Sequence, residues 1–542
     1  DEEHKATKLR IFNFSKPHGH AFHTAWFGFF STFFTMFASA PLMNEIRKPS
    51  SLNLSNGDIV QADICAVSTN IVSRIVTGYV CDVVGPRRTL AFLCFVMCPA
   101  ALGMLWVGSA AGFIVCRGVI GLGLATFVTS QVWCTQMHSK SVVGLVNATS
   151  AGWGNMGGGV TNLVLPFVFS AIYNLLDGTP LEKEDRAWRY CYLIPVALCL
   201  TASGAALTGR DLPDGDIKQL EKTGAKQKAH GRIVLRTGLC NVNAWILTIT
   251  YGMCFGVELT LNAVAFLYFH DYHGLAPHEA GLYASLYGLM NLFARSLGGQ
   301  LSDWSNERFG MRGRIWACWI VMSLEGVFCM LMASVTLSMD APFNRKMTMG
   351  WTQIDATTCA RFHAANGSRD SHHNRDLTWC PVNDTQVSEC GCVHEALPAQ
   401  YGVGDELRMI CEPAWSRDGA AMNCIQHQEN AVGLAVFCLI CFSICVQAAE
   451  GLHYGIVPYV SRPALGVVAG MVSAGGPLGA VVLLASFFEG GNLRLDEGFL
   501  RLGMVVCGLT TLIVFIYFPD HGSMLLRARA LGTRYDPQLI KP

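Results

Sequence analysis

Apolar stretches of about twenty residues recur along this chain with short polar breaks between them. That is the length a helix needs to cross a bilayer core of ~30 Å. Twelve are legible, over about 22–46, 59–82, 89–109, 111–134, 143–174, 189–209, 242–269, 279–302, 315–338, 431–456, 465–488 and 497–518. Lipid offers the backbone no hydrogen bonds, so each must be a helix rather than an open strand. The pattern predicts an all-α membrane protein of twelve transmembrane helices in two six-helix bundles.

Lys and Arg collect on one side of these spans. The segment after span six carries Arg210, Lys218, Lys222, Lys226, Lys228, Arg232 and Arg236; Arg87 and Arg88 follow span two, and Arg308, Arg312 and Arg314 follow span eight. The connections after spans three and seven carry neither residue type. The positive-inside rule then places both termini in the cytoplasm. The expected organisation is a cytoplasmic tail (1–21), a first bundle (22–209), a basic linker (210–241), a second bundle (242–518) and a cytoplasmic C-terminal tail (519–542).

One loop, 339–430, is far longer than the rest. It holds Cys359, Cys380, Cys390, Cys392, Cys411 and Cys424, with N-x-[ST] sequons at Asn366 and Asn383. Helix parity puts it outside, where disulfides and glycans are made. A third sequon, Asn53, falls in the first outside loop. Zinc is the competing reading, since His363, His372, His373 and His394 lie nearby, but Cys390-x-Cys392 is not a usual zinc spacing. Disulfides are expected, in a pairing the sequence leaves open, and no metal.

Composition agrees with a lipid-facing chain. Of 542 residues, 51% are hydrophobic and 14% charged, against about 25% charged in soluble domains. The formal net charge of zero gives no reason to expect a nucleic-acid partner. Most other cysteines stand singly in apolar runs, where they act as small hydrophobes. The polar start of the chain, up to about Ala21, predicts no cleavable signal peptide.

Charge inside the spans changes the picture. Span two contains Arg74-x3-Gly78-x3-Asp82 and span eight contains Arg295-x3-Gly299-x3-Asp303, each with an asparagine four residues before the arginine (Asn70, Asn291). Spacings of four and eight place each trio on one helical face. Two such frames at equivalent spans form an internal repeat, a transporter signature. Asp82 and Asp303 end their helices beside arginine-rich turns, so they belong to a cytoplasmic gate with Gly78, Arg87, Arg88 and Gly299. At 1.5 Å per residue the arginines lie roughly 12 Å deeper, where each costs about 2.5–3.5 kcal/mol to insert. No acidic residue stands opposite either arginine within the frames. Arg117, in span four, reads instead as an arginine buried against an acidic partner.

Two facing guanidiniums call for an anion. A guanidinium keeps its proton and offers paired donors that suit planar or tetrahedral oxyanions, so the expected substrate is a small oxyanion. Glycine-rich runs, GWGNMGGGVTN from Gly152 and GMVSAGGPLGA from Gly470, occupy equivalent spans five and eleven. They permit close helix approach and bending. Asn155 inside the first is a candidate anion contact. Phe127 in span four, with Tyr251 and Phe255 four apart in span seven, are candidates for apolar walls.

The turn from Gly78 and Asp82 to Gly85-Pro86-Arg87-Arg88 resembles the signature loop of the major facilitator superfamily. AGWGNMGGG, FGVELT, AAEGLHYGIVPYVSR and SAGGPLGA together resemble its nitrate/nitrite porters, specifically eukaryotic high-affinity nitrate transporters. That resemblance, from about Ser15 to Pro519, implies a pseudo-symmetric fold with nitrate bound by Arg74 and Arg295 between Phe127, Tyr251 and Phe255, and assigns Asn155 to the same site. Two departures stand out. Pro477 occupies a place where the family commonly has asparagine, and the cysteine-bearing loop is not general in it.

A negative cytoplasm repels nitrate by about 2.3 kcal/mol per 100 mV, so uptake needs coupling. The resemblance implies import at the plasma membrane with protons. Glu258 and Glu450 are the candidate carriers, with His453 behind them. Nitrite as a second substrate and a single-span accessory subunit remain open partners. The alternatives are a nitrate/nitrite exchanger and a nitrate receptor with little transport. No catalytic constellation or cofactor motif suggests an enzyme.

Overall fold

The computed structural model describes residues 3–222, 231–273, 275, 277–339, 430–488 and 495–526, and the backbone of short strands between 349 and 427. Among the described residues, nine helices are long and apolar enough to cross a membrane by length and composition. Three further helical stretches complete the twelve-span reading. They are His18–Phe37, Pro86–Gly103, and the run Pro277–Leu289 with Ala294–Phe309. Histidines dilute the first, an Arg87-Arg88 pair the second, and Arg295, Asp303 and neighbouring polar residues the third.

Local sequence starts these helices where capping chemistry allows. Span two (Asn56–Val84) opens on a Ser55/Asp58 capping box, which satisfies amides that would otherwise have no partner. Span six opens with Thr179, Glu182 and Pro180 in the same arrangement, then runs through Pro180–Cys191 and Leu193–Leu207. Gly85, at φ +106°, makes the turn that ends span two and starts span three at Pro86. The first apolar stretch ends as a long helix at Phe37, followed by a separate short turn, Met43–Ile46.

Three spans break where the repeat and aromatic candidates sit. Span four runs Ala110–Leu122, tightens to a 3₁₀ turn at Gly123–Ala125, and resumes as Thr126–Met137. Span seven is interrupted between Val242–Gly252 and Phe255–Leu267. Span eight carries a 3₁₀ turn at Met290–Leu292 just before Ala294. Irregular turns inside helices often mark functional hinges. The glycine-rich spans, by contrast, are uninterrupted helices, Val143–Leu175 and Leu465–Phe487. Their glycines serve packing: a Cβ on Gly476 would meet the Phe255 ring at 2.1 Å.

Between the halves, span two packs on span eleven and span five on span eight. Both described ends of the chain lie on one face. Ala6 bridges to His138 at the end of span four, and the Met524 carbonyl accepts a hydrogen bond from Arg312 at the start of span nine. The long loop contains a six-stranded antiparallel sheet that the apolar pattern does not announce. Its register sets Cys411 opposite Cys424. Cys359, Cys390, Cys392, Asn366 and Asn383 lie outside the described residues, and Cys380 falls on a strand described by backbone alone.

Candidate functional site

Arg74 and Arg295 are 1% and 0% exposed. The break in span four sets Phe127, and the break in span seven sets Phe255, so that their rings lie 6.5 Å apart and 5° from parallel. Both guanidiniums approach both rings. Arg74 Cζ is 5.3 Å from the Phe127 centroid and 5.4 Å from that of Phe255; for Arg295 the distances are 5.7 and 6.0 Å. These distances allow cation–π attraction. Tyr251 stacks on Phe255 at 5.7 Å, and Tyr454 stands edge-on to Phe127 at 5.0 Å.

The repeat makes the arginines alike in sequence, but their partners differ. Arg74 Nε donates to Asn70 Oδ1 at 2.9 Å, and Nη1 donates to the Ser473 carbonyl at 2.7 Å. Pro477, four residues on in span eleven, has no N–H to give that carbonyl. The proline that departs from the family pattern thus frees an acceptor for Arg74. Among the described residues no carboxylate lies within ion-pair distance of Arg74.

Arg295 is held by opposite charge. Its Nη1 forms an ion pair with Glu450 and lies 4.0 Å from Glu258 Oε2, and its Nη2 donates to Tyr251 Oη at 2.9 Å. Asn291 does not repeat the Asn70 role; its amide donates to Glu258 Oε1 at 2.6 Å. Neither repeat frame supplies an acid, but the fold brings two to Arg295. Both acids come from spans seven and ten, outside the repeat frames. Arg117, as expected, pairs with an acid, Asp63, at 2.6 Å.

Asn155 is buried one turn beyond Gly152, and a Cβ on Gly152 would lie 3.4 Å from that of Arg295. The Asn155 amide has no protein partner among the described residues. His453 is different: its Nδ1 bonds the Ala449 carbonyl and its Nε2 the Thr250 hydroxyl, both at 2.8 Å. Both ring nitrogens are satisfied in one neutral tautomer, which suits a bracing role.

The residues expected at the gate form two matching contacts between the halves. Asp82 accepts from Gly466 N and Val467 N at 2.8 and 2.9 Å, capping span eleven; Asp303 accepts from Gly144 N and Leu145 N at 3.0 and 2.8 Å, capping span five. A carboxylate suits a helix N-terminus, where amides lack partners and the dipole is positive. Close approach requires glycine, because a Cβ on Gly78 or Gly299 would meet the carbonyl of Gly466 or Gly144 at 2.2 Å. Arg87 Nη2 pairs with Asp216 at 2.6 Å, its backbone amide donates to Asp211, and Arg88 lies 3.9 Å from Asp216. Burial pushes the Asp211 carboxyl up, against the pull of Arg87. Asn53, the sequon within the described residues, is exposed at φ +49°.

Sequence reasoning passed over Glu325 in span nine, Tyr287, Gln447 and Tyr454. Glu325 carries a visible signal, a lone acid inside an apolar run; the others read as ordinary span residues.

Residues 25–367 match the Major Facilitator Superfamily. The chain is 35% identical to High affinity nitrate transporter 2.5 of Arabidopsis thaliana, over 97% of this chain and 84% of that protein. It is 34% identical to Nitrate transporter 2.1 of Chlamydomonas reinhardtii, over 98% of this chain and 80% of that one. The chain belongs to the high-affinity nitrate transporter family of the major facilitator superfamily. As a member it is a multi-pass membrane transporter and not an enzyme. The fold is also similar to the proton:xylose symporter XylE bound to 6-bromo-6-deoxy-D-glucose, at 13% identity and a TM-score of 0.56, covering 91% of this chain and 94% of that one.

Proposed function

We propose that this transporter imports nitrate across the plasma membrane by proton symport and alternating access, with the anion held between Arg74 and Arg295. The observation that carries this reading is that two buried guanidiniums both approach the same pair of near-parallel rings. Apolar atoms touch at about 3.5 Å, and ring centroids 6.5 Å apart suit one planar layer held between the two faces. Nitrate is such a layer, and its oxygens would meet guanidinium donors in the plane of the anion. Nitrite is also planar and suits the same slot. Sequence relatives named as nitrate transporters support the choice of anion.

Coupling follows from the Glu450–Arg295 pair. An anion and the Glu450 carboxylate compete for one guanidinium. A proton on Glu450 cancels its charge, frees Arg295 and makes room for nitrate; deprotonation restores the pair and expels the anion. Glu258, hydrogen-bonded by Asn291, is the second carboxyl beside Arg295. The terminal face, rich in Arg and Lys, is the cytoplasmic side, and the Asp82 and Asp303 latches close it. This competition favours symport over nitrate/nitrite exchange, which needs no titrating group.

The test is nitrate flux into proteoliposomes with and without an inward proton gradient. Accumulation above equilibrium only with the gradient is expected. Equal flux in both conditions, with nitrite accelerating exchange, would replace symport by exchange.

A further inference from the structure

Glu325 lies at the middle of span nine (Met311–Met339), fully buried, and neither carboxyl oxygen has a protein partner among the described residues. An unpaired carboxylate at this depth is prohibitively costly, and such a group holds a proton instead. We propose that Glu325 is a proton-binding site that loads Glu450, and so sets the rate at which Arg295 is released for the anion. This inference rests on the symport reading above.

Its surroundings favour proton transfer over structural pairing. From span seven, Cys254 lies within electrostatic reach of Glu325; from span eight, Tyr287 does. From span ten, Glu450 and Cys445 do, and from span twelve, Cys507. On its own helix, Cys318 and Cys329 flank it, and Cys318 also touches the braced His453. None of these groups is a cation. Arg295, one step further, is occupied by Glu450.

Unpartnered polar groups accompany the two acids on spans eight and ten. Tyr287 Oη and both ends of the Gln447 amide are buried without a protein partner among the described residues. Tyr287 is within electrostatic reach of Glu258, Glu325 and Glu450 together. Gln447 lies three residues before Glu450, on the same helical face. Buried polar groups of this kind are what internal water bridges. In the transfer the O–H bond of Glu325 breaks and one forms on the Glu450 carboxylate. The tyrosine hydroxyl and bridging water each pass on one proton and receive one. Glu325 recovers its proton from the outside solution, and no other reactant is consumed.

Glu325→Gln is the informative variant, since it copies the neutral carboxyl in size and shape. In the full-length protein in proteoliposomes, it should keep nitrate binding and nitrate–nitrate counterflow within about twofold, because neither moves a net proton. Gradient-driven accumulation should fall at least tenfold, Glu325→Asp should restore part of it, and Tyr287→Phe should slow it. Infrared spectra of the wild type at neutral pH should show a protonated-carboxyl band that Glu325→Gln removes. A variant that accumulates nitrate like a proton-driven wild type overturns the Glu325 role alone. A wild type indifferent to the gradient overturns symport, and this inference with it. Joint loss of counterflow and accumulation, with the infrared band unchanged, assigns Glu325 to packing and also overturns the proposal.

Discussion

Glu450 closes its carboxylate on Arg295, while Arg74, the repeat-related arginine, rests on a backbone carbonyl instead. On the symport reading, one half of the proposed binding site carries a charge that responds to protons, and the other carries a fixed cation. Glu450→Gln should leave Arg295 free at every pH. Nitrate binding should persist or tighten, and uptake should lose its dependence on external pH and on the proton gradient. Paired measurements of binding and of uptake over acidic and alkaline media test this. A variant that keeps the wild-type pH profile would remove Glu450 from the coupling.

Arg74→Lys preserves charge but loses the planar fork that reaches Asn70, Ser473 and the two phenyl rings at once. Hydrogen bonds to charged groups contribute about 1.5–3 kcal/mol each, so uptake should fall at least ~10-fold and toward zero. Surface expression should be unchanged. Near-normal uptake would remove the two-arginine clamp.

Pro477→Ala returns an N–H that can claim the Ser473 carbonyl. Arg74 should lose part of its anchorage, raising the nitrate KM several-fold with little change in protein abundance. An unaltered KM would mean that the freed carbonyl does not position Arg74.

Gly299→Leu places a side chain where even a Cβ would meet the Gly144 carbonyl at 2.2 Å. Cytoplasmic closure should fail, so nitrate turnover should collapse while the protein still reaches the membrane. Labelling of a cysteine placed near Gly144 from the cytoplasmic side should rise. Wild-type turnover in this variant would show that the latch is dispensable.

His138, just past the end of span four, is buried on the terminal face, and burial pushes its imidazole down to about 4, partly offset by its bond to the Cys134 carbonyl. An unfolded histidine titrates near ~6.5, so below that pH the unfolded chain takes the proton first. Stability should fall as pH drops from ~6.5 to about 4 and level off below. Thermal unfolding in detergent should show a shallower acid slope for His138→Gln.

Much of this could be read from periodicity and spacing. Span lengths carry the helical, twelve-span reading, and the Arg-x3-Gly-x3-Asp frames point to both buried arginines because helical spacing is local. What stayed hidden is contact between distant spans. Nothing near Arg295 in sequence signals Glu450, 155 residues later, and nothing near Asp82 signals the amides of Gly466 and Val467. Helix breaks were also illegible. Span seven breaks at Met253–Cys254, between residues with ordinary helical preferences, where Gly252 and Gly256 crowd against span eleven. Pro477, which a sequence rule marks as a helix breaker, sits in an unbroken helix.

If nitrate lies between them as proposed, the near-parallel faces of Phe127 and Phe255 would also sort anions by thickness. Sulfate and phosphate carry more charge than nitrate and would be drawn more strongly to two guanidiniums, yet a tetrahedron cannot lie flat between rings 6.5 Å apart. Forcing one in would part the rings and expose their edges to whatever water followed it. Preference for a weakly charged anion over abundant, stronger competitors then becomes a property of two hydrocarbon surfaces, not of the charges that attract the anion.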